Sequence, residues 1–227
     1  ETRYMIGVDI GTTSTKAVLF EENGNIAAQH HVGYPLHTPE PDAAEQDPED
    51  ILKAVVETVQ EVMTQSGVPA EHVLFVSFSS AMHSVLAVDK NGKPLTASIT
   101  WADNRSAKWA EALKHKYNGH DIYLRTGIHP MSPLTKLMWI TRDLPDVAAQ
   151  TYKFISIKEY VFARLFHQYV VDHSIASATG LMNLKQLDWD EEALTIAGVT
   201  KEQLSELVPT THVLKGLDAA YARDMGL

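Results

Sequence analysis

Apolar residues first crowd together over Tyr4 to Ile10, Tyr-Met-Ile-Gly-Val-Asp-Ile, which reads as a buried strand. A polar turn, Gly11-Thr12-Thr13-Ser14-Thr15, leads into a second strand from Lys16 to Phe20. Asn23-Gly24 suits a tight hairpin because both residues accept positive φ. A third strand follows from Asn25 to about Gly33. Three strands joined this tightly form an antiparallel meander. The period then becomes helical. Asp47-Pro48 supplies a cap acceptor and a fixed φ in the first turn. Ile51, Leu52, Val55, Val56, Val59, Val62 and Met63 recur at helical spacing, and Gly67 and Pro69 end the run. Val73 to Ser79 is dense with apolar side chains and predicts a strand at a sheet centre, covered on both faces.

A further strand from Ser84 to Asp89 closes at Asn91-Gly92. The remainder predicts helices over Asn104 to Tyr117 (stopped near Gly119), from Ser132-Pro133 onward, over Ile157 to Phe166 and over Asp190 to Ala197. Tyr34 to Asp47, rich in proline and acid, is the most linker-like stretch, with an ordered loop as the alternative. The order β-β-β-α-β, antiparallel first and parallel later, resembles the ribonuclease-H-like core of actin, hexokinases and related ATPases. It predicts an α/β lobe with a mixed sheet and flanking helices. Such folds host many activities, so the function has to come from the sites.

Composition narrows the classes. A chain of 227 residues buries a substantial core. Its net charge of −10, spread along the chain, disfavours a duplex nucleic-acid partner, which needs a basic stripe. No apolar run approaches the ~20 residues that span a bilayer. The N-terminus has no basic-then-apolar signal pattern, so the cytoplasm is the expected location and no membrane partner is expected. With no cysteine, disulfides and thiolate metal sites are excluded. The chain begins Glu1-Thr2-Arg3 without an initiator methionine and stops at Gly226-Leu227, and we read it as part of a longer protein.

Asp9-Ile10-Gly11-Thr12-Thr13-Ser14-Thr15-Lys16 is the strongest chemical feature. A glycine at a strand tip lets backbone amides approach an anion without interference from a Cβ. Thr12, Thr13, Ser14 and Thr15 add hydroxyls, and Lys16 brings a compact positive charge. Asp9, ending the buried strand, suits Mg²⁺ held through water. Together these groups form a cradle for a triphosphate tail. The spacing is not that of a Walker A loop.

This string resembles the N-terminal phosphate motif of the FGGY carbohydrate kinases. Four more segments carry the same resemblance: Ala44-Glu45-Gln46-Asp47-Pro48, Ser79-Ser80-Ala81-Met82-His83, Ile99-Thr100-Trp101-Ala102-Asp103-Asn104-Arg105, and Trp189-Asp190. It therefore covers nearly all of residues 1–227, as the family's N-terminal domain. The chemistry suits a polyol. Met82 and Trp101 offer an apolar wall, while Ser80, His83, Asp103 and Arg105 offer hydrogen bonds. Within the family, the Phe78–Ser84 and Ile99–Ser106 stretches resemble the gluconate branch rather than the xylulose branch. Ile128-His129-Pro130-Met131-Ser132-Pro133 and Ile157-Lys158-Glu159-Tyr160 do so too. A sugar acid needs a cation, for which Lys158, Arg105 and Lys136 are candidates by charge. The segment between Thr126-Gly127 and His129-Pro130 is shorter than in most of the family.

The resemblance implies phosphorylation of gluconate by ATP with Mg²⁺, with a small-molecule sugar acid and ATP as partners and a homodimer as an allowed assembly. In this family the base that takes the hydroxyl proton is the aspartate of an Asp-Gly motif opening a second lobe. This chain contains no Asp-Gly pair, so no catalytic base is assigned within it and little turnover is expected from it alone. The rival expectations are another sugar kinase of the family, xylulokinase first, and a non-catalytic protein of the actin superfamily.

Overall fold

The computed structural model describes residues 1–130 and 132–227. The chain forms β1 (Tyr4–Ile10), β2 (Ser14–Glu21), β3 (Ile26–Gly33), β4 (Glu45–Gln46), α1 (Pro48–Ser66), β5 (Val73–Ser80), β6 (Leu86–Val88) and β7 (Ser98–Ile99). There follow α2 (Ala107–His115), α3 (Gly119–Thr126), α4 (Pro133–Asp143), α5 (Pro145–Gln150), β8 (Lys153–Ile155), α6 (Ile157–Phe166), β9 (Val170–Asp172) and α7 (His173–Ser177). The last elements are β10 (Met182–Asn183), β11 (Asp188–Trp189), α8 (Glu191–Ala197), β12 (Glu206–Val208) and α9 (Ala219–Met225).

The main sheet has the order β3-β2-β1-β5, with β1, β2 and β3 antiparallel and β5 parallel to β1. α1 makes the crossover between them. Asp47 caps it by accepting from the Glu49 amide, and Gly67 ends it in the left-handed region. Its apolar stripe, with Ile51, Val55, Val59 and Val62 fully buried, meets Ile6, Val8 and Ile10 on one face of β1. Each such side chain taken from water stabilises the pair by about 1.5–3 kcal/mol before entropy is counted. A second core gathers α2, α3, α4 and α8 around Leu134, Leu137, Met138 and Ile140. The two-residue strands β4 and β7 pair with each other and lie next to Val85, which bridges to Ile99.

Two expectations are corrected, and the stretch left open between a linker and an ordered loop is ordered. β5 is an edge strand, not a central one: Leu74 is 53% exposed and Phe75 52%. Apolar density does not say which neighbour covers a strand. The helix expected over Asn104 to Tyr117 is the shorter α2, and Gly119 opens α3 rather than closing α2. The linker-like stretch holds β4 and is tied into the fold by hydrogen bonds at His37, Ala44 and Glu45. Met131, within the Ile128–Pro133 segment, lies outside the described residues.

Candidate functional site

The phosphate turn joins β1 to β2. Gly11 has to be glycine, because a Cβ there would lie 2.9 Å from the Ser14 carbonyl oxygen that the Gly11 amide binds. The carbonyls of the turn are all turned back into the protein. Gly11 O accepts from the Tyr34 hydroxyl at 2.5 Å. Thr12 O accepts from Gln46 Nε2 at 2.6 Å, and Thr13 O from the Tyr34 amide at 3.1 Å. The Thr12 and Thr13 amides meet no acceptor among the described residues, and both residues are exposed. Carbonyls held inward and amides left outward are the polarity an anion needs.

Thr15, fully buried, donates to the Tyr34 hydroxyl at 3.3 Å and so supports the turn from below. Ser14 begins β2 and is half-buried. Lys16 is exposed directly opposite Asp9 in the ladder, and Asp9 accepts from the Ser79 hydroxyl of β5 at 2.9 Å. This donor set of one exposed carboxylate and neighbouring hydroxyls fits Mg²⁺ that keeps its waters and takes phosphate oxygens. It does not make an all-protein cage, and no cluster of three or more His, Asp or Glu suited to a metal occurs among the described residues.

The end of β5 sits against this turn, because the Ala81 amide donates to Ile10 O at 2.8 Å. Ser80, half-buried, donates its hydroxyl to Ala81 O. Met82 follows at 39% exposure. His83 then adopts φ 71°, a left-handed conformation that is uncommon outside glycine. Its Nδ1 lies 3.1 Å from the Ala178 carbonyl, which can only accept, so Nδ1 carries a proton. Burial pushes the imidazole below its usual value, and the charges of Lys136 and His129 push the same way against the Ala178 bond. The neutral ring is thereby favoured, and in it Nε2 has a lone pair able to accept from a hydroxyl.

The Val85–Ile99 bridge places His83 and Trp101 at one end, each two residues beyond it. Trp101 is 45% exposed in the turn before α2. Asp103 is buried and does not present free oxygens. It accepts from the Ala44 amide, the Arg105 amide and the Arg105 guanidinium. Arg105 is shared with Glu45 at 2.7 Å and stacks on Trp139. Of the candidate cations, Arg105 thus already holds two carboxylates. Lys158 holds Asp172 at 2.9 Å and lines the apolar groove beside β5 rather than the group around His83. Lys136, 1% exposed on α4, has its ammonium pushed down to about 8 by burial, with Asp103 opposing. Its charge is felt at His83. Trp189 is buried in the second core, and Asp190 caps α8.

Tyr34, Gln46 and His129 had no assigned role in the sequence. His129 brings its ring to 6.5 Å from that of His83. Gln46 and His129 left a signal, through their places in the Ala44–Pro48 and Ile128–Pro133 segments; Tyr34 left none.

A mixed sheet of this order, with a phosphate turn at the tip of its first hairpin and an open polar and aromatic group beside it, defines a lobe of the ribonuclease-H-like sugar-kinase class. The chain belongs to the FGGY family of carbohydrate kinases, residues 4–227 matching the family's N-terminal domain. It is 55% identical to a gluconokinase of Bacillus subtilis (strain 168) over 228 aligned residues, all of this chain and 44% of that protein. The crystal structure of gluconate kinase from Lactobacillus acidophilus superposes with a TM-score of 0.95 at 37% identity, over 100% of this chain and 46% of that one. A ligand-bound xylulose kinase from the same organism gives 0.94 at 37% identity, over 99% and 46%. The chain thus spans less than half the length of these relatives.

Proposed function

We propose that this chain is the sugar- and phosphate-binding lobe of a kinase that phosphorylates gluconate to 6-phosphogluconate. The observation that carries the reading is the turn whose carbonyls are tied back at Gly11, Thr12 and Thr13, with its amides left open and the end of β5 that leads into Met82 and His83 bonded to Ile10 at its base. ATP supplies the phosphoryl group. Gly11, Thr12, Thr13, Ser14, Thr15 and Lys16 hold its phosphate tail, and Asp9 holds Mg²⁺ through water. Met82 and Trp101 bear on the C–H face of the sugar acid, and Ser80 and the His83 Nε2 take its hydroxyls. Asp103 and Arg105 fix the Trp101 segment from beneath. Lys136 and Arg105 bring positive charge to this side of the site. The acceptor oxygen forms its bond to the γ-phosphorus as the bond to ADP breaks, and its proton passes to a base outside this chain. The cytoplasm, where ATP and sugar acids meet, is the expected location, and no helix among the described residues is long and apolar enough to cross a membrane.

A coupled ADP-release assay on the full-length protein, with gluconate, xylulose, ribulose and glycerol, tests this. Gluconate is expected to give the highest kcat/KM, and the 227-residue chain alone little turnover. The likeness to a xylulose kinase at the same identity favours a pentulose as the second reading, and a preference for xylulose would replace the first with it.

A further inference from the structure

The stretch from Tyr34 to Asp47 runs from one half of the site to the other. Gln46 is 5% exposed, and its amide nitrogen reaches the Thr12 carbonyl at the tip of the phosphate turn at 2.6 Å. The preceding residue, Glu45, accepts from Arg105 at 2.7 Å, and Ala44 donates to Asp103 at 2.9 Å. Three consecutive residues therefore grip the Trp101–Arg105 segment and the phosphate turn at once. Their backbone is fixed as well: β4 pairs with β7 in the register Glu45↔Ile99 and Gln46↔Ser98, and Glu45 bridges to His37 on its other side. Neighbouring residues of a strand point to opposite faces, so one short strand serves both groups without a flexible joint.

We propose that Gln46 is a positioning residue for phosphoryl transfer, and that β4 couples the sugar side of the site to the phosphate turn. This rests on the kinase reading above. Gln46 never touches the reacting atoms; it keeps the Thr12 carbonyl turned inward and so keeps the Thr13 amide of the same peptide facing the anion, as Tyr34 does for the Thr12 amide through the Gly11 carbonyl. Removing the glutamine side chain leaves space beside the Thr12 carbonyl in which a water can take its place as donor. The loss is then one of placement rather than of folding.

The test uses the full-length protein and the variants Gln46→Ala, Gln46→Glu and Glu45→Gln. Gln46→Ala is expected to lower kcat/KM for Mg-ATP about tenfold or more while the gluconate KM stays within about twofold. Glu45→Gln is expected to raise the gluconate KM and the Mg-ATP KM together, since it loosens the strap at the sugar end. Gln46→Glu can donate to the Thr12 carbonyl only when protonated. Its activity relative to the parent is therefore expected to rise as the pH falls toward about 5, a profile Gln46→Ala lacks. Hydrogen exchange over residues 10–16 is read alongside, and Gln46→Ala is expected to speed it there and not in α1. ATP parameters within about twofold of the parent would overturn the proposal. Equal losses for both substrates with faster exchange throughout would also overturn it. If the parent phosphorylates no sugar acid, the gluconate reading falls by itself. The strap is then judged by the exchange at residues 10–16, and no change there sinks it.

Discussion

His83 owes its chemistry to the Ala178 carbonyl, which fixes the proton on Nδ1 and leaves Nε2 to accept. Burial lowers its pKa, so binding that needs the neutral ring is favoured at neutral pH and is lost as the pH falls through a value below the usual ~6.5. A nuclear magnetic resonance titration is expected to find the His83 midpoint below 6.5, with the acid limb of kcat/KM for gluconate following it. A midpoint at or above 6.5 would remove the hydroxyl-accepting role. At this scale the sequence was only partly legible. The Gly11 turn could be read because its residue types have few other uses at a strand tip. The Asp103–Arg105 pair could also be read, from two opposite charges two residues apart; that Arg105 also reaches Glu45, and Lys158 Asp172, could not, because charge says nothing of which distant partner the fold brings near. Tyr34 was silent for the same reason: its hydroxyl matters only once β3 has placed it below Gly11.

Among the elements, α8 is seven residues long and depends on its ends. At its start, Asp190 accepts from the Ala193 amide and from Arg125 through both oxygens, at 2.6 and 2.9 Å. At its end, Gly198 has φ 78°, and a Cβ there would lie 2.7 Å from Thr141 Oγ1. Gly198→Ala is expected to cost about 2 kcal/mol or more, from left-handed strain and the clash together. Asp190→Asn is expected to cost about 1–2 kcal/mol at pH 7. Urea unfolding measures both. The Arg125 hydrogen bonds hold the Asp190 carboxyl below the usual carboxylate range. The folded state thus binds that proton less readily than the unfolded chain does. The stabilisation is present above about pH 4 and is lost as pH falls through the lowered value, so the gap between parent and Asp190→Asn closes in acid. Long elements with clear periods, β1 to β3 and α1, could be read in advance. The two-residue β4 could not, since so short a strand has no period.

The molecule as a whole sets the site where two cores meet. The sheet and α1 carry the phosphate turn, while the helical core around α4 carries Lys136 and backs the Trp101 segment through Trp139. The edge at β5 stays open, with Leu74 and Phe75 on the surface. An unpaired apolar edge pairs readily with another, so this chain is expected to self-associate as its concentration rises. Phe75→Lys is expected to shift it toward monomer in sedimentation velocity, and no shift would mean the edge is already protected. Val73 to Ser80 contains neither charge nor proline; Glu71 flanks it two residues before, but the next charge after it is Asp89. A stretch of that kind has gatekeepers on its N-terminal side only. To the quality-control machinery of a cell it has the signature of unfinished protein, so a chaperone holding extended apolar segments would take this strand until something covers its edge.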